Sequence, residues 1–114
     1  MIAYFARIAN ADDATVGADL QRLPDLLDRV DALLSEGVIG RADANAADYQ
    51  ILSSVMLLLG HRDPRPIVER WHCAAAALRL IPDYPEPVPA ALPSEWLTEM
   101  TNRNCLWRAG ARSR

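Results

Sequence analysis

Apolar residues recur along most of this chain at spacings of three and four, the period of a helix that buries one face. Ile2, Phe5 and Ile8, with Tyr4 beside them, mark a first helical face over residues 1–9. Asp12 and Asp13 then stand where a helix N-terminus favours negative charge. Leu20, Leu23, Leu27, Val30 and Leu34 predict a second amphipathic helix that ends near Ser35, with Gly37 as its stop. Pro24 lies inside it and removes the hydrogen bond to the Leu20 carbonyl, so a kink or break is expected there. The loop 36–44 carries Val38 and Ile39 between Gly37 and Gly40 and should bury both. From Ala46 to Leu59 the apolar positions Ile51, Leu52, Val55, Met56, Leu57, Leu58 and Leu59 cover almost every face, the pattern of a central buried helix.

A fourth helix is predicted from Pro64, with Ile67, Trp71, Ala74, Ala75, Leu78 and Ile81 on its core face and Pro82 as its end. Five prolines from Pro82 to Pro93 make the following stretch extended, wrapping the domain with Tyr84 and Val88 as anchors. Ser94 with Glu95, Trp96 and Leu97 starts a last helical turn. No alternating run of strand length interrupts this order, and the fold class is all-α. One core domain over 1–100 is expected, followed by a basic, poorly ordered tail over 101–114.

Asn45-Ala46-Ala47-Asp48 has the form of a capping box. The Asn45 side chain accepts from the third amide of the helix, and Asp48 returns to the Asn45 amide. Tyr49 follows at the position where a hydrophobic staple would grip, opposite the small Ala44.

The order Leu23-Pro24-x-x-Leu27-Asp28-x-x-x-x-Leu33, then Val38-Ile39-Gly40, then Asn45-Ala46-Ala47-Asp48-Tyr49 resembles the C-terminal helical domain of cytosolic glutathione S-transferases. In that family a Ser/Thr-x-x-Asp box caps the central buried helix; here Asn45 replaces Ser or Thr with an equivalent acceptor. The likeness extends over residues 1–97, and Pro82-Asp83-Tyr84-Pro85 to Trp96-Leu97 resembles the ending of a bacterial subgroup. It implies a glutathione S-transferase C-terminal-like bundle that supplies part of the wall for a hydrophobic electrophile and part of the domain or dimer contact. The family's glutathione site and catalytic Tyr, Ser or Cys lie on a separate thioredoxin-like domain. Nothing in this chain corresponds to them, so no catalytic, cofactor-binding or metal residue is assigned and glutathione is implied only for the two-domain architecture. The partners implied are a thioredoxin-like N-terminal domain or a second copy. The alternative is a non-enzymatic interaction module of the same fold.

Composition changes this picture little. The 114 residues are 51% apolar and 24% charged, enough for one core and far from a disordered polar chain. No apolar run approaches the ~20 residues of a bilayer span, and the start shows no secretion signal, so a cytoplasmic protein is expected. The net charge of -3, with twelve arginines and no lysine, argues against specific nucleic-acid binding. The charge divides into -5 over 1–58 and +2 over 59–114, and Arg103, Arg108, Arg112 and Arg114 give the tail only unspecific contact with polyanions. His61 and His72 cannot form a ligand pair across a helix boundary and read as solvated or helix-end histidines. Cys73 beside His72 points elsewhere on the helix and reads as buried and inert. Cys105, among arginines in the tail, reads as an exposed thiol without an oriented base.

Overall fold

The computed structural model describes residues 12–83 and 85–102. The predicted helix over 1–9, Tyr84 and the tail from 103 onward lie outside these residues. Four helices are followed by an extended strap and a fifth helix: α1 (Asp13–Ser35), α2 (Ala46–Leu59), α3 (Arg65–Val68), α4 (His72–Leu80) and α5 over 94–102. The described residues are all-α, with a single isolated β-bridge.

Asp12 caps α1 by accepting the Thr15 amide at 2.7 Å, which holds its carboxyl below the usual range. The helix then runs through Pro24 without the expected break. Gly17, Pro24 and Leu27 are its buried positions, so the proline turn lies against the core and packing holds the helix together across the missing bond. At Gly17 a Cβ would come within 3.2 Å of the Trp96 ring, so the glycine lets α5 lie close on α1. Gln21 donates to Glu99 along the same contact at 3.0 Å. The end of α1 is a Schellman turn: Gly37, at φ 73°, donates to Leu34 O, and Val38 donates to Leu33 O.

α2 packs mainly against α4, whose Cys73, Ala74, Ala76 and Ala77 are all buried and small enough for close approach. Leu27, Ile39, Leu52, Val55, Met56, Leu59, Ile67, Val68, Trp71 and Met100 complete the core. Two expectations change here. Ile39 is buried, but Val38 is turned outward by the Schellman turn and stays 47% exposed. α2 is central on one side only, since Tyr49 and Leu57 are exposed and the Ser53 and Ser54 hydroxyls donate back to Gln50 O at 3.2 Å.

The single fourth helix expected from Pro64 divides into α3 and α4, with Trp71 in an extended conformation between them. That restart rotates the later residues. Trp71, Cys73, Ala74 and Ile67 are buried as expected, whereas Ala75 and Leu78 face outward and Ala76 and Ala77 take the inner face.

Among its described residues the strap after Pro82 is pinned by hydrogen bonds, and Val88 is not the apolar anchor expected. Arg65 grips Asp83 through both terminal nitrogens at 3.1 and 2.8 Å and also binds Glu69 at 2.7 Å, which holds its guanidinium charged. Val88 donates to Gly60 O and accepts from Arg62 N, while its side chain is 47% exposed. Asp63 accepts the Ala91 and Leu92 amides at 2.8 and 2.6 Å; burial works to raise its carboxyl, but these amides outweigh it and hold it low.

Candidate functional site

Four side-chain hydrogen bonds organise the loop that leads into α2. Asn45 is extended, and its side-chain oxygen accepts the Asp48 amide at 3.0 Å while Asp48 Oδ2 accepts the Asn45 amide at 2.8 Å, closing the reciprocal box. The other carboxylate oxygen, Oδ1, accepts the Gly40 amide at 2.6 Å. Asn45 Nδ2 donates to Val38 O at 3.1 Å. The nine-residue stretch 36–44 between α1 and the cap is thereby folded back onto the helix N-terminus.

Asp48 is 2% exposed, the only buried charged residue among those described. A buried carboxylate is tolerated when its oxygens are paired, and here the Asn45 and Gly40 amides hold it below the ordinary range. Tyr49 takes no part in the box beyond its backbone amide, which donates to Asn45 O, and its ring is exposed opposite an exposed Ala44. The staple is not formed.

Gly40 has φ 78°, and a Cβ there would run into Leu34 Cδ2. Only glycine lets this backbone both turn and aim its amide at Asp48. Next to the box lies an open hollow of about 210 Å³, bounded by the 40–44 loop, by Asp48 and Leu52 of α2 and by Ala76, Arg79 and Leu80 of α4.

The residues singled out for reactivity do not gather here. His61 follows α2 and its Nδ1 lies 2.8 Å from Leu57 O; His72 is the exposed first residue of α4. Cys73 is fully buried. Burial, and then the nearby Asp31 charge, push its thiol up to about 12, so a thiolate nucleophile is disfavoured there. Cys105 and the tail arginines lie outside the described residues. Among the described residues no group of three or more His, Cys, Asp or Glu could hold a metal ion, and no helix is long and apolar enough to cross a membrane.

Sequence reasoning missed a second polar centre. From α1, Asp31 accepts the His72 and Cys73 amides at 3.1 and 2.8 Å, and Asp28 accepts Trp71 Nε1 at 2.8 Å. The available signal was the spacing of the two acids, one helical turn apart beside the apolar stripe of Leu27 and Val30. Their partners are more than forty residues away and carry no local mark.

The polar groups of both centres are thus occupied in holding helix termini, and the class defined is an all-α helical scaffold with an open hollow beside the α2 cap. Comparison of the chain with protein-family models, curated proteins and solved structures finds no match.

Proposed function

We propose that this chain is the helical C-terminal half of a glutathione S-transferase-like protein, contributing hydrophobic-substrate wall and domain or dimer contacts without a glutathione site of its own. The observation that carries this reading is the Asn45–Asp48 box on the helix through the core, the feature on which the family resemblance rests. Cys73, fully buried with its thiol pushed up to about 12, is consistent with a scaffold role, since a conjugating enzyme needs a positioned donor or a lowered thiol pKa.

The test has two arms. The purified chain should neither be retained on immobilised glutathione nor accelerate thiol conjugation to an aromatic halide. A thioredoxin-like glutathione-binding domain, fused ahead of it or added in trans, should form a co-eluting complex that conjugates the halide. Saturable turnover by the chain alone that survives Cys73→Ser and Cys105→Ser would overturn the reading. So would failure of the thioredoxin-like domain to associate in either format.

A further inference from the structure

We propose that the hollow between the 40–44 loop and the C-terminal half of α4 is a binding site for a small organic carboxylate with an apolar body. The site lies wholly within this chain and does not depend on its family.

The walls supply charge and the floor supplies apolar surface. Arg41 and Arg79 line the hollow from separate elements, and neither guanidinium makes a hydrogen bond or ion pair with another described residue. Arg65, by contrast, is committed to Asp83 and Glu69. Guanidinium groups present fixed N–H pairs that match a carboxylate in bidentate fashion.

The lining also includes Leu52 and Ala76, buried side chains of the core, and Leu80, partly buried against it. Asp48 also borders the space, but it is 2% exposed and each of its oxygens is already paired with a backbone amide, that of Gly40 or of Asn45. Two guanidinium charges against one carboxylate leave the lining with one net positive charge, which matches a monoanion.

Size narrows the choice further. A cavity of roughly 150 Å³ accommodates benzene, so about 210 Å³ leaves room for one ring or a short alkyl chain together with a carboxylate. Inorganic anions would leave the apolar floor bare, and uncharged aromatics would leave both guanidinium groups without a partner.

The experiment follows backbone amide resonances of the full chain during titration with benzoate to millimolar concentration. Acetate carries the charge without the ring, and benzyl alcohol the ring without the charge. Saturable shifts at residues 40–44 and 76–80 are expected with benzoate and not with either control. Arg41→Gln and Arg79→Gln should each weaken binding by about tenfold, and the double variant should abolish saturation. Arg41→Lys and Arg79→Lys keep the charge but lose the planar fork; they serve as a second pair if a glutamine variant fails to fold, with weakened benzoate binding again expected.

Absence of saturable shifts overturns the proposal, as does benzoate binding that persists unchanged in the double glutamine variant or in the lysine pair. Acetate acting as strongly as benzoate overturns the apolar half of the site. A loss of thermal stability in Arg79→Gln with benzoate binding intact would assign that arginine to the C-terminal dipole of α4 alone and overturn its part in the site.

Discussion

Asp31 Oδ1 accepts the backbone amide of Cys73 at 2.8 Å, across 42 residues of chain, so that α4 takes its cap from α1. Neither Trp71 nor any residue beside it supplies a side-chain cap, and the exposed ends of the first amides would otherwise have no partner within their own segment. Helix pairing and helix initiation are therefore one event in this part of the fold.

Replacing Asp31 by Ala should cost about 1 kcal/mol, the ordinary worth of a cap, and hydrogen exchange at His72 and Cys73 should quicken before that of the rest of α4. Asp28→Ala leaves the indole N–H of the nearly buried Trp71 without its acceptor and should cost about 1–3 kcal/mol. Urea melts with an unchanged slope would report both. An unaltered midpoint in either variant would remove the corresponding bond from the account.

At the α2 cap, Asn45→Ala should cost about 1 kcal/mol. Asp48→Ala should lower the denaturation midpoint further than Asn45→Ala, because it strips the acceptor from two amides, those of Asn45 and Gly40, rather than from one. Equal midpoints for the two variants would show that the Gly40 bond adds nothing.

The same carboxylate makes stability depend on acid. Asp48 is held below its ordinary value of 3.8 in the folded chain, first by the Asn45 amide and then by that of Gly40. Its contribution is complete above the unfolded pKa and is lost as pH falls through the lowered folded pKa. Asp63 shifts in the same direction through Leu92 and Ala91. Melting temperatures of the unmodified chain should therefore drop steeply below about pH 4, and Asp48→Asn should flatten that drop while lowering stability at neutral pH.

Gly37 and Gly40 both sit at positive φ but in different surroundings. An alanine at 37 meets nothing within 4 Å and should cost only the left-handed strain, about 1–2 kcal/mol. An alanine at 40 meets the same strain and also collides with Leu34, so Gly40→Ala should be clearly the more destabilising. Chemical denaturation of the two variants side by side gives the ordering.

Cys73 should not react with an aromatic disulfide reagent in the folded chain at mildly alkaline pH, because its fully buried thiol is pushed up to about 12. Measured in a Cys105→Ser background, its modification rate should follow the unfolded fraction as urea is added. Rapid stoichiometric modification without denaturant would contradict the burial.

The signals legible in the sequence were local ones. Leu20, Leu23 and Leu27 fixed the face of α1, Gly37 its end, and Asn45 with Asp48 the start of α2, because a helical period and a cap each depend on residues within a turn or two of one another. Tertiary packing decided the rest. Pro24 breaks nothing because its turn lies against the core, and the division of α3 from α4 follows from Asp28 and Asp31 reaching across to Trp71, His72 and Cys73. That restart exposes Ala75 and Leu78 and turns Ala76 and Ala77 inward, while Cys73 is buried as expected. The hollow bounded by Arg41 and Arg79 was invisible for the same reason: the two residues lie on separate elements, and only the packing of α4 on α2 brings their side chains to one space.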